Sequence, residues 1–213
     1  MNFSSDDMEA LATRQRANLI NCITGFKPAL LLGTVNTGGH TNLAMFNNVF
    51  HIGASPPLLG LIVRPRPEGT ERHSLDNLLE TEHYTLNHVH HDMLPAAHQT
   101  SARYPREQSE FAASGLSALY QPGFPAPFVA EARIRMGLRL VEHQELSVNH
   151  TQLVIGELEV LNCPDDILRD DGSVDLAAAG SVASCGLDSY HSVAEGQRYA
   201  YAKANLAPRR LGG

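Results

Sequence analysis

Leu30-Leu31-Leu32-Gly33-Thr34-Val35, Asn36-Thr37-Gly38-Gly39 and Thr41-Asn42-Leu43-Ala44-Met45-Phe46 decide how this chain is read. They are two apolar runs of strand length around a polar turn, and the paired glycines are a hairpin signal. Asn47-Asn48 then interrupt an apolar stretch that resumes at Val49-Phe50. Asparagine is disfavoured in a strand unless its amide has a partner, but it is common in turns, so both readings stand. Pro56-Pro57 lead a continuous apolar run over 57–63, of strand length and suited to burial on both faces. Next, Arg72-His73-Ser74-Leu75-Asp76-Asn77-Leu78 falls in a helix predicted over 70–82, with Leu75, Leu78 and Leu79 at helical spacing. The first amides of a helix are unpaired and point at any nearby anion. Arg72 and Ser74 stand beside them, in a basic stretch that also holds Arg64, Arg66 and His73. The plainer alternative is a solvated basic loop.

Outward from this segment the patterns favour strands. Residues 5–21 read as a helix capped by Ser5, with Asp6, Asp7 and Glu9 in the first turn and Met8, Leu11, Ala12 and Leu19 as a partial stripe. Strands are predicted near Lys27-Pro28 and over 84–89, with two short helices around 96–102 and 107–113 and a Pro-rich link at 122–127. Ala132, Ile134, Met136, Leu138 and Leu140 alternate with Arg133, Arg135 and Arg139, one face buried and one solvated. The expected partner is 152–161, where Val154, Leu158 and Val160 line one face. An acidic loop follows at 165–172, and the tail 208–213 has little to fold around. At least five half-buried strands and few crossover helices predict a mostly β protein with peripheral helices, built as an antiparallel barrel. We divide it into a lead-in (1–24), the barrel domain (25–195) and a C-terminal extension (196–213).

Composition narrows the function classes. A formal net charge of −7 on 213 residues opposes generic nucleic-acid binding, which needs a basic surface. No signal-peptide pattern and no apolar run of about 20 residues is present, so the expectation is a soluble, cytoplasmic protein without membrane contact. Cys22, Cys163 and Cys185 are odd in number and far apart, which predicts neither a disulfide framework nor a zinc site. His88 and His90 would share a strand face, with His91, Asp92 and His98 nearby. No second acidic or cysteine cluster completes a metal set, and none is expected. Dinucleotide, P-loop and nucleophile-elbow motifs are absent.

The order and spacing of several short motifs carry a resemblance. They are Gly39-x-x-Asn42-x-Ala44 with Pro56-Pro57-Leu58, then Arg72-His73-Ser74-Leu75-x-Asn77, Tyr104-Pro105 and Ser109-Glu110-Phe111 with Gly115-Leu116. Val154-Ile155-Gly156-Glu157 and Gly186-Leu187-Asp188-Ser189-Tyr190 complete the series. From Lys27 to about Tyr190 the chain resembles the flavin reductase-like family. It departs from the family pattern at Met45, where many relatives have proline, at Asn47-Asn48, where they have Ser-Phe, and at His73, where an acidic residue is usual.

The resemblance implies an FMN-binding split β-barrel, antiparallel and Greek-key-like, whose flavin lies between the subunits of a homodimer. It implies an oxidoreductase passing a hydride from NAD(P)H to flavin N5, and electrons onward to an acceptor of unknown identity. Arg72 and Ser74 would hold the phosphate, with Arg64 a further candidate and Asn77 supporting the helix start. Asn47, Asn48 and Val49 would face the ribityl chain and ring; His51, His98 and Tyr190 would border the substrate side. Two alternatives stay open: an FMN-dependent electron carrier between protein partners, and a non-redox flavin- or haem-binding module.

Overall fold

A two-residue link shapes the molecule. In the computed structural model, which describes residues 1–65 and 73–211, β2 (Leu30–Val35) pairs with β3 (Thr41–Phe46) through the predicted hairpin. After Asn47-Asn48 comes β4 (Val49–Ala54), hairpin-paired with β5 (Pro57–Val63). With β6 (His83–His88), β9 (Arg135–Leu146) and β10 (Thr151–Asn162) these make a seven-stranded sheet, every pairing antiparallel. The strand order is β3-β2-β6-β9-β10-β5-β4. The strands joined by two residues therefore occupy opposite edges. A flat sheet would hold those edges about 29 Å apart, whereas the three Cα steps from Phe46 to Val49 reach at most about 11 Å. The sheet must curl until its edges meet at this corner, and the expected antiparallel, barrel-like architecture results.

The interior follows from strand alternation. Leu30, Leu32, Leu61, Tyr84, Leu86, Leu138 and Val154 form its core, and Leu75 and Leu78 of α3 (His73–Thr81) pack into the same cluster. Leu31, Leu43 and Val89 belong to a second cluster, which α4 (Leu94–Gln99) and α5 (Glu110–Ser114) cover with Ala97 and Phe111. All six residues of β2 are buried because both its faces are covered, which is why the run is apolar throughout. Outside the barrel, β1 (Lys27–Pro28) pairs with β11 (Val182–Cys185), which pairs with β12 (Ser189–Ser192).

Several expectations need correction. Residues 5–21 are two helices, α1 (Ser5–Ala10) and α2 (Thr13–Ile23), because the chain turns extended at Leu11 and Ala12. The cap of α1 is Ser4, whose hydroxyl accepts from the Asp7 amide while the Asp7 carboxylate accepts from the Ser4 amide. The Pro-rich link is not a link. Phe124–Val129 is strand β8, paired with β7 (Ala118–Gln121), and its Phe124, Ala126 and Phe128 are buried. Strand β9 begins at Arg135, and Ala132 and Ile134, though buried, pack into other clusters. A register shift between Leu158 and Val160 turns Val160 away from the barrel core toward Phe124 and Phe128. The tail folds back on itself, with Ala200 N–H donating to the Arg209 carbonyl and Leu211 N–H to that of Arg198, both at 2.9 Å. Helix α3 is described from His73, so residues 70–72 of the predicted helix lie outside the described residues. Among the described residues no helix is long and apolar enough to cross a membrane.

Candidate functional site

Asn47 and Asn48 fall between two strands rather than inside one, and both are half-buried. The Asn48 carbonyl accepts from Ile62 N–H at 2.9 Å, anchoring the corner to β5. The Asn47 side-chain amide donates to the Gly186 carbonyl at 3.3 Å. Gly186 opens the turn between β11 and β12 with φ +66°, a left-handed conformation that glycine adopts without strain. Four residues on, the Tyr190 hydroxyl lies 2.8 Å from His98 Nδ1 of α4, the rings meeting edge to face with centroids 5.6 Å apart. Burial raises the Tyr190 pKa, with Asp188 adding to the shift, so the phenol stays protonated at neutral pH. Met45 and Tyr190 pack against the same outer cluster. The hairpin thus brings Asn47, His98 and Tyr190 into one wall. Val49 turns its side chain into the barrel core, and His51 is exposed on edge strand β4.

A second polar group lies at the start of α3. Ser74 Oγ donates to the Asn42 side-chain oxygen at 2.7 Å, and the Asn77 amide donates to Thr34 Oγ1 at 3.3 Å. Asn77 Oδ1 is buried with no hydrogen-bond partner among the described residues. Asn42, Asn77, His73, Arg106 and Glu110 line a shallow polar recess here. Glu110 Oε2 accepts from Leu43 N–H at 3.0 Å, on edge strand β3. Burial raises the Glu110 pKa against the lowering effects of that bond and of His73. In the sequence, Asn42 and Glu110 are motif positions without a role, and Arg106 carries no signal of its own. The signal available was a lone acidic residue leading the otherwise apolar Glu110-Phe111-Ala112-Ala113.

Arg64 is exposed at the end of β5 and looks across a cleft to His143, Glu145 and His150 of the β9–β10 hairpin. Arg72 lies outside the described residues. The histidines near residue 90 have other partners. His88 Nδ1 is 3.3 Å from Ser181 Oγ, and burial lowers its pKa to about 4. His90 Nε2 is 3.0 Å from the Glu131 carbonyl. Among the described residues no group of three or more His, Cys, Asp or Glu is placed to hold a metal ion.

With this geometry in hand, the sequence profile described as the flavin reductase like domain matches residues 26–188. The chain belongs to the flavin reductase-like family. A candidate flavin reductase with a split barrel domain from Shewanella frigidimarina is 45% identical and superposes with a TM-score of 0.90, over 95% of this chain and 100% of that one. Nitrilotriacetate monooxygenase component B from Bacillus cereus shares the fold at 18% identity, with a TM-score of 0.81 over 92% of this chain and 96% of that one. An uncharacterized protein of Aquifex aeolicus is 24% identical over 148 residues, 70% of this chain and 74% of its own length. The split barrel expected from the sequence is the fold observed.

Proposed function

We propose that the chain binds FMN and acts as a flavin-dependent oxidoreductase that takes a hydride from NADH or NADPH. The family match over residues 26–188 carries this reading, supported by the superposition on the Shewanella protein over nearly the whole chain. When bound, the flavin would supply the two-electron chemistry. The residues present suit it. Asn47 and Asn48 put half-buried amides at a corner where the backbone leaves the ladder, suited to the edge of a polar ring. The start of α3, with the Ser74 hydroxyl, is the polar place for the phosphate end, and Arg72 precedes it in sequence. The hydrogen-bonded His98–Tyr190 pair closes the outer wall on the substrate side.

A second copy of the chain is part of the proposal. Edge strand β4 exposes Phe50 and Ile52 at 44% and 41%, an apolar strip along a sheet edge. An isologous dimer would bury this strip. Sedimentation should give a dimer mass at micromolar concentration, and an FMN-loaded monomer would refute this part.

Titration with FMN and riboflavin tests the site. Wild type should take up FMN, and adding NADH or NADPH should bleach the flavin absorbance. Arg72→Ala should weaken FMN by about 1.5–3 kcal/mol, the range for a hydrogen bond to a charged group, and leave riboflavin nearly unchanged. An equal loss for both flavins would mean a damaged fold. No loss for either would move the phosphate elsewhere, with Arg64 next in line.

A further inference from the structure

Although 163 residues separate them in sequence, Cys22 near the end of α2 and Cys185 at the end of β11 are neighbours in space: Cys185 Sγ lies 3.9 Å from the Cys22 carbonyl oxygen. Cys22 Sγ packs so closely on the next residue of the hairpin that a β-carbon on Gly186 would come within 2.9 Å of it. The segments around the two thiols are already docked. Lys27 and Pro28 pair with Ser184 and Ala183, Phe26 meets His191 edge to face at 4.8 Å, and Lys27 Nζ donates to the Asn21 carbonyl at 2.9 Å. Cys163 packs elsewhere, with Ile134 and Ile167.

We propose that Cys22 and Cys185 are a redox-active dithiol that closes to an intramolecular disulfide, tying the end of α2 to the β11–β12 hairpin. The oxidant is a low-molecular-weight disulfide of the glutathione class. One cysteine, as thiolate, attacks a sulfur of that disulfide; the S–S bond breaks, and the departing thiolate takes up a proton. The other cysteine then attacks the mixed disulfide and displaces the second small thiol. Two protein thiols lose two electrons and two protons, and one small disulfide becomes two small thiols. Because Gly186 follows Cys185 and holds Asn47 through its carbonyl, closure also fixes the wall beside the β3–β4 corner.

Desolvation against the hairpin, the adjacent Cys185 and Asp188 raise the Cys22 pKa, with Lys27 opposing. Exchange through Cys22 is therefore slow near neutrality and quickens as pH rises. The test is to treat the purified full-length protein with oxidised glutathione at mildly alkaline pH, then count alkylatable thiols after denaturation and map the peptides. We expect the three thiols to fall to one, Cys163, with Cys22 and Cys185 in one linked peptide. The melting temperature should rise by roughly 5–15 °C, as for a disulfide closing a long loop, and return on reduction. Cys22→Ser and Cys185→Ser should each abolish the shift, and Cys163→Ser should keep it. Three thiols remaining, a stable glutathione adduct on Cys22 with Cys185 still alkylatable, or an intermolecular crosslink would each overturn the proposal. A linked peptide without a thermal shift would overturn the tether.

Discussion

The barrel and the layer around it are held by different means. Inside the barrel, Leu32, Leu86, Leu138 and Val154 have no exposed surface, and every sheet strand there is paired on at least one side. In the outer layer, α1 and α2 bury no residue, and the β11–β12 hairpin reaches the lead-in through the two-residue strand β1. Burial scales with apolar area, so most of the stability lies in the barrel. The polar groups suited to a ligand lie where the two parts meet: at the β3–β4 corner, at the start of α3 and along the hairpin.

The sharpest way to break this contrast is a pair of truncations. Leu138→Ala removes a fully buried side chain from the barrel core and should cost about 2–5 kcal/mol in urea unfolding. Ile20→Ala on α2, where the side chain is 45% exposed, should stay within roughly 0.5 kcal/mol. Equal losses would show that the lead-in carries stability its burial does not reveal.

Two glycines sharpen the contrast. A β-carbon on Gly33 would collide with the Pro127 carbonyl and Thr85 Oγ1, which are hydrogen-bonded to each other at 2.7 Å. A β-carbon on Gly60 would meet the half-exposed Phe50 ring, which can swing outward. Gly33→Ala should therefore cost about 1–3 kcal/mol or more, and Gly60→Ala clearly less. A reversed order would mean that Phe50 is pinned, which the proposed dimer contact would explain.

At the joint itself, Asn48→Leu keeps a similar volume and removes the amide. If that amide meets a bound flavin, FMN affinity should fall by about 1–3 kcal/mol, with the unfolding midpoint nearly unchanged. Unaltered affinity would make Asn48 a corner residue only.

Much of the barrel was legible in sequence because its signals are local. The Gly38-Gly39 turn, the 57–63 run and the leucine spacing of α3 each declare an element without reference to distant residues. Strand β8 was hidden because Pro125 and Pro127 argue against a strand. Proline is tolerated there in a two-stranded ribbon with a register shift, and the Pro127 carbonyl instead accepts from Thr85. The candidate site was legible as residue types but not as a grouping. Asn47 meets Gly186 across 139 residues and His98 meets Tyr190 across 92, and no local pattern encodes contacts that long. The Asn47-Asn48 ambiguity had a physical root as well, since whether the pair is strand or corner depends on the curl of the whole sheet.

The smallest expected effect is a slope with pH, at the point where α5 grips the barrel edge. Glu110 accepts from the outward N–H of Leu43, so its carboxyl meets an edge donor that the ladder leaves unpaired. Burial nonetheless dominates, and the folded pKa lies above the ordinary 4.5. The sign follows from proton counting. Between 4.5 and the raised value, the folded state keeps a proton that the unfolded state has lost, so stability falls as pH rises through that window and levels above it. Glu110→Gln keeps an acceptor for Leu43 and removes the ionisation. Its stability relative to wild type should climb through the same window and then stay constant. Urea midpoints of both proteins from acid to neutral pH check this. Parallel curves would show that the carboxylate is better compensated than its burial implies, and that the seam is as well built as the barrel it closes.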